Sequence, residues 1–321
     1  MFRTRITEML GIQYPIVAGG MRNISRAELV AAVSGAGALG ILDSSRFEKA
    51  EELRNEIRKT QSLTDKPFGV NITIYPWRDP KINDQFIEVL IEEGVKVVET
   101  SGSRGPGEFV RRLGGSNVKL IHKVTTVKHA VAAEREGANA VSVVGFERGG
   151  ALGLEDFTTI ILVPRTVSEV KIPVLAGGGI GDAQGMVAAM ALGSEGVVIG
   201  TRFLATKESI AHPVFKDWMV HAKETDLIVI SRSSTMKSRA LKNKATERII
   251  ELQAKGASIE ELQPLLGYNA SSVIEDGNVE EGVGGCGQAV GLIHNIPTVK
   301  ELIDSLINEA REIVQRIYGL I

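Results

Sequence analysis

A chain of 321 residues can bury one barrel-sized core or two small ones, and 43% hydrophobic with 24% charged residues is an ordinary balance for a globular protein. A net charge of −2 and the lack of any 18-residue apolar run argue against nucleic acid and membrane as partners. The single cysteine, Cys286, excludes an internal disulfide and a cysteine-based zinc cage; with no secretory leader at the N-terminus, a cytoplasmic protein is expected.

In chain order, short apolar runs fall at 16–18, 38–42, 68–72, 95–99, 119–124, 140–144, 174–176 and 196–199. Segments of helical period lie between them at 25–34, 47–60, 81–93, 106–113, 127–136 and 182–192. Buried runs of this length, each followed by an amphipathic segment, are the pattern of parallel βαβ units. Eight strands before residue 205 predict an α/β fold of the (β/α)8 TIM-barrel class. Its repeat is visible in Glu93-Gly94, Glu136-Gly137 and Leu192-Gly193, with Ser34-Gly35-Ala36-Gly37 a looser copy. Each is a helix end, a glycine suited to a left-handed cap, and a short link into a strand.

The pattern breaks after Thr206. Residues 207–280 read as a helical insertion after the eighth strand, a lid that carries substrate contacts, with an amphipathic helical pair at 246–255 and 259–266. The polar stretch 231–244, with Arg232, Lys237, Arg239, Lys242 and Lys244, lacks interleaved aromatics and reads as a solvated helix face. The tail, 298–318, reads as the returning barrel helix, so the barrel is assigned to 1–206 plus 281–321.

Two glycine-rich strand ends late in the chain, Ala176-Gly177-Gly178-Gly179 and Ile199-Gly200-Thr201, suit a phosphate group. Glycine lets backbone N–H groups approach phosphate oxygens, and barrels commonly place such a site after strands 7 and 8. Other strand ends face the same mouth: Ala18-Gly19-Gly20-Met21, Asn71, His122-Lys123 and Gly145-Phe146-Glu147-Arg148-Gly149-Gly150. Alternation lets only one of His122 and Lys123 point inward. A lysine there could stabilise charge that builds on a flavin ring during reduction, which makes Lys123 the candidate and Arg148 its alternative. Cys286 reads as a packing residue, and the five histidines lack ligand spacing, so no metal is expected.

These residues resemble the nitronate monooxygenase (2-nitropropane dioxygenase) family, whose relatives include FMN-dependent enoyl-acyl-carrier-protein reductases. The matching pieces are Pro15-Ile16-Val17-Ala18-Gly19-Gly20-Met21, Gly69-Val70-Asn71, His122-Lys123, Gly145-Phe146-Glu147, Ala176-Gly177-Gly178, Gly200-Thr201-Arg202-Phe203 and Gly287-Gln288-Ala289-Val290-Gly291. The resemblance implies FMN, held by Ala18, Gly19, Gly20, Met21, Asn71, Lys123, Glu147, Gly149, Gly177, Gly178, Gly179, Gly200 and Thr201. It implies oxidation of alkyl nitronates with O2 on a small-molecule substrate, with NAD(P)H-dependent quinone or enoyl reduction as the alternative; a homo-oligomer is compatible with the sequence, which does not fix the oligomeric state. Ala151 stands where the family carries its active-site histidine, and an alanine can neither take nor donate a proton. Arg148 stands where the family has a small residue, and its guanidinium could hold an anionic substrate. A flavin-free lyase or isomerase acting on a phosphorylated substrate, and a non-catalytic flavin-binding protein, are the readings of other classes.

Overall fold

A computed structural model describes residues 3–74, 79–102, 104–233, 236–266 and 269–320. In chain order the strands are β1 (Ile16–Ala18), β2 (Leu39–Asp43), β3 (Phe68–Ile74), β4 (Val97–Gly102), β5 (Lys119–Val124), β6 (Ala140–Val144), the two-residue β7 (Gly150–Ala151), β8 (Val174–Gly177), β9 (Gly196–Ile199), β10 (Leu227–Ser233) and β11 (Met236–Leu241). Strands β1 to β6, β8 and β9 are hydrogen-bonded in that order, and β9 pairs back onto β1. Every barrel pairing is parallel, as expected for a TIM barrel.

The helices are α1 (Arg5–Leu10), α2 (Ala27–Gly35), α3 (Ala50–Leu63), α4 (Pro80–Glu92), α5 (Gly107–Arg112), α6 (Val127–Arg135), α7 (Thr159–Val167), α8 (Ala183–Ala191), α9 (Thr201–Leu204), α10 (Pro213–His221), α11 (Lys244–Ala254), α12 (Ile259–Leu266), α13 (Asn269–Glu275) and α14 (Val299–Tyr318). Helices α2, α4, α6 and α8 run into glycines at positive φ (Gly37, Gly94, Gly137 and Gly193), which is the repeated cap legible in the sequence. Helix α14 packs against α8 and α2, the place of a returning barrel helix. Helix α7 was not legible: its run of β-branched residues and its internal Pro164 both weaken helical propensity.

Alternation along each strand divides the apolar residues into two clusters. Outward positions such as Ala18, Val70, Val98, Val141, Ala176 and Ile199 pack with the surrounding helices. Inward positions Val17, Leu39, Ile41, Val97, Ile121, Ala140, Leu175 and Val198 form a separate interior cluster, joined by Ile6, Leu10 and Ile12. Helix α1, capped by Thr4 and ended by Gly11 at φ 67°, therefore plugs the N-terminal end of the barrel. Ile6 is fully buried there. We expect Ile6→Ala to lower unfolding stability by about 2–4 kcal/mol in urea titration while leaving ligand binding at the opposite end unchanged.

The insertion departs from the expected all-helical lid. Strands β10 and β11 form an antiparallel hairpin, and β11 also pairs with β7. The stretch read as a solvated helix face thus spans the end of β10 and the whole of β11, apart from residues 234 and 235, which lie outside the described residues. Arg239 is buried within it. The helical pair expected nearby is present as α11 and α12. Ile230, Ala240, Ile249, Leu262, Leu266 and Val283 make a small core of their own beneath it. Among the described residues no helix is long and apolar enough to cross a membrane.

Candidate active site

Above the interior apolar layer, the next inward position on each strand lies at the C-terminal mouth. The mouth has two unlike halves. On β2 to β6 these positions are Asp43, Asn71, Glu99, Lys123 and Ser142, brought side by side by the registers Asp43↔Asn71, Asn71↔Glu99 and Lys123↔Ser142. On β8, β9 and β1 they are Gly177, Gly200 and Gly19, with no side chain.

In the polar half, Lys123 Nζ lies 2.7 Å from Glu99 Oε1, and Asn71 Nδ2 donates to the same oxygen at 2.7 Å. Thr73 Oγ1 donates to Asn71 Oδ1 at 2.9 Å, so both ends of the Asn71 amide are engaged inside the barrel. Ser45 Oγ donates to Asp43 Oδ2 at 2.6 Å. Burial raises the Asp43 carboxyl above the usual carboxylate range, only partly opposed by Ser45, Lys123 and Arg22. Glu99 Oε2 and Ser142 Oγ are buried with no hydrogen-bond partner among the described residues. The choice between His122 and Lys123 is settled by alternation. His122 faces the helices, where its Nδ1 shares a 2.8 Å hydrogen bond with Thr100 Oγ1 and burial pushes its pKa down to about 4.

In the glycine half, Gly178 and Gly179 turn the chain at φ 94° and 74°. A Cβ on Gly178 would lie 2.9 Å from both the N and O of Gly145, so the two loops touch backbone to backbone. Gly200 differs: a Cβ there would meet only Met21, at 3.6 Å from Sδ, which leaves a space bounded by two candidate residues. Thr201 Oγ1 accepts from Gly287 N–H at 3.0 Å, and its own hydrogen is donated to none of the described residues. Gly20 packs against Asn71, whose Cβ would be 2.7 Å from a side chain at that position. Ala18 turns its methyl outward into the helix layer, so only its backbone faces the mouth.

Glu147 is engaged otherwise than its neighbours. Its oxygens accept from Thr159 N–H at 2.9 and 3.0 Å and from Thr159 Oγ1 at 3.0 Å, which places a carboxylate at the N-terminus of α7. Thr159 Oγ1 also lies within hydrogen-bonding distance of Gly177 O and Gly178 O, so Glu147 and Thr159 brace the glycine turn from behind. Gly149 abuts Cys286 and Gly287, where a Cβ would come within 2.5 Å of their backbone. Cys286 is fully buried, and burial pushes its thiol up to about 12, in keeping with a packing role.

Arg148 extends from this loop and makes no ion pair or side-chain hydrogen bond with any described residue. Loss of solvent pushes its guanidinium down to about 10, and the like charge of Arg239 adds to the shift. Arg239 carries the loop: its Nη1 donates to the carbonyls of Phe146 and Arg148, and its guanidinium sits 4.5 Å from the centroid of the Phe146 ring. Ala151, exposed on β7, pairs with Ser238 of the hairpin. The insertion is therefore tied directly to the loop bearing Arg148. Asp43, Glu99 and Arg239 escaped the sequence reading. For the two acids a signal existed, an ionisable residue ending an apolar strand run. A separate groove of about 480 Å³ lies at the N-terminal end of the barrel, lined by Gly11, Lys66, Lys96 and Asn117, and shares none of these residues.

The profile of the family described as nitronate monooxygenase matches residues 3–309. The chain is 31% identical to a probable nitronate monooxygenase of Staphylococcus saprophyticus, covering 98% of this chain and 99% of that protein. It is 33% identical to the (3aS,4S,5R,7aS)-5-hydroxy-7a-methyl-1-oxo-octahydro-1H-indene-4-carboxyl-CoA dehydrogenase of Rhodococcus jostii, covering 96% of each. The fold superposes on that of FabK from Thermotoga maritima with a TM-score of 0.93 and 38% identity, each chain being covered in full.

Proposed function

Since the chain belongs to the nitronate monooxygenase family and is a flavin-dependent oxidoreductase, we propose that it binds FMN at the barrel mouth and oxidises an anionic alkyl nitronate with O2. The observation that supports this most is the division of the mouth into a side-chain-free half and a charged half. The open space at Gly200 and the unused hydroxyl hydrogen of Thr201 suit a phosphate, and the glycines at 177–179 let it approach backbone. Glu147 serves in this reading by fixing the turn, since a carboxylate beside a phosphate would repel it. Gly19, Gly20, Met21, Asn71 and Lys123 would line the ring. Bound there, FMN supplies the two-electron redox chemistry.

The protein's own groups set what can be oxidised. Arg148 offers a guanidinium with no partner among the described residues, in a poorly solvated position, which favours a substrate carrying a negative charge. Ala151 offers no base, so a neutral nitroalkane would have to arrive already deprotonated. Residues 207–280 act as the lid in this reading, delivering Arg239 to the loop that holds Arg148. Anaerobic mixing with propionate 3-nitronate is the test. Bleaching of the visible flavin absorbance supports the proposal, and no bleaching with a fully loaded protein sinks it.

The missing histidine favours one second reading, NAD(P)H-dependent reduction of a quinone or an enoyl thioester. Bleaching by NADPH or NADH alone would select it. We further expect Ala151→His to raise kcat/KM on neutral nitroalkanes by about 10²-fold, the usual contribution of a placed general base, while the rate on preformed nitronate changes little. Equal rates on the neutral substrate before and after the change would show a pocket built for another molecule.

A further inference from the structure

The interior layer below the mouth is filled by Val17, Ile41, Val97, Ile121 and Leu175. One step above it, the same barrel buries a carboxylate, Glu99, whose side chain is 1% exposed. A buried ion pair is not an economical way to hold a barrel together, because removing two charges from water offsets their attraction. Glu99 adds a further cost, since its buried Oε2 has no hydrogen-bond partner among the described residues. All its bonding runs through Oε1, to Asn71 and to Lys123. Lys123 is 17% exposed, so it spans from this interior carboxylate to the open mouth. The pair is built to present one ammonium at a set point with its charge partly offset from below.

We propose that Glu99 is a positioning residue: its carboxylate aims the Lys123 ammonium at the flavin and offsets its charge, and thereby sets the reduction potential of the bound cofactor. This rests on the proposal that FMN lies at the mouth with Lys123 facing it. Negative charge accumulates on a flavin ring as it is reduced, so a nearby uncompensated cation favours the reduced form and a nearby anion opposes it. Asp43 lies farther along the arc, beyond Asn71, where Lys123 and Arg22 act on it electrostatically, so Glu99 is the carboxylate in direct contact with Lys123.

Glu99→Gln isolates this effect. The amide oxygen can keep both bonds made by Oε1, and the amide nitrogen falls where Oε2 already lacks a partner. Anaerobic titration of the loaded protein against a reference dye reads the potential. Glu99→Gln should shift the reduced-to-oxidised ratio about tenfold toward reduced flavin, an upward move of about 30 mV for a two-electron couple. Lys123→Met should shift it about as far the other way, and the double variant should return within about threefold of wild type. Glu99→Asp keeps the charge and should also stay within about threefold. If Lys123→Met moves the potential and Glu99→Gln does not, Glu99 is only structural and the inference fails, while the FMN proposal stands. A Glu99→Gln protein that melts like wild type but loses its flavin overturns the inference equally, by making Glu99 a binding residue. Wild-type protein that takes up no FMN overturns both.

Discussion

Replacing Gly200 with leucine is expected to yield a folded protein that has lost FMN. Gly200 sits at φ −113°, outside the left-handed region, so a side chain there is not barred by a positive φ. The added Cβ would meet only Met21 Sδ at 3.6 Å, an ordinary contact, so thermal stability of the flavin-free protein should change little. The leucine would instead fill the space into which the proposed phosphate fits. Losing two charge-assisted hydrogen bonds at about 1.5–3 kcal/mol each lowers FMN affinity by at least about 10²-fold. Gly178 is a poorer probe, although its sequence context is the more glycine-rich. A side chain there would collide with the Gly145 backbone and would also need φ 94°, so loss of flavin could follow from a broken loop alone. Flavin titration with a parallel melting curve checks the Gly200→Leu outcome. Wild-type affinity in that variant would remove the phosphate from this strand end.

Arg148→Met should separate function from stability. The guanidinium has no partner among the described residues, and Arg239 repels it, so the fold gains nothing from its charge. Removing it should leave stability unchanged or raise it by about 1 kcal/mol. Activity should move the other way. If Arg148 holds an anionic substrate, kcat/KM for propionate 3-nitronate should fall about 10- to 100-fold, chiefly through KM, for the loss of one charged hydrogen bond. Arg148→Lys should recover only part, because an ammonium cannot make the planar two-point contact. An unchanged KM would release Arg148 from any substrate role. A large loss of stability would instead show that the residue braces the loop.

The barrel itself was legible in the sequence. Each barrel strand must bury both faces, so it reads as a short apolar run, and α2, α4, α6 and α8 turn back through a glycine cap. Both signals are local, and the residues at 16–18 through 196–199 carry them strongly. Helix α1 has local caps in Thr4 and Gly11 but is only six residues long, and α7 lacks a side-chain cap of its own; what holds each is largely distant. The first plugs the barrel interior with Ile6 and Leu10, and the second is capped by Glu147 from another loop. The hairpin β10–β11 was misread because its alternation is masked by Lys237 and Arg239, whose charges suit a solvated face. Arg239 is buried only because it finds two carbonyls and an aromatic ring on the loop at 146–148.

By itself, then, the sequence determined the eight-stranded barrel, its returning tail helix, the glycine-rich strand ends and the absence of a histidine at Ala151, all features that depend on residue type and local spacing. Only the tertiary structure decided which side chains meet. It chose Lys123 over His122 through strand parity and set Glu99 beneath it by the register of β3, β4 and β5. It also joined the insertion to Arg148 through Arg239. The physical reason is that charge acts through space. An ammonium 2.7 Å from a carboxylate 24 residues earlier in the chain has no local trace, and that pairing exists only once β4 and β5 lie side by side.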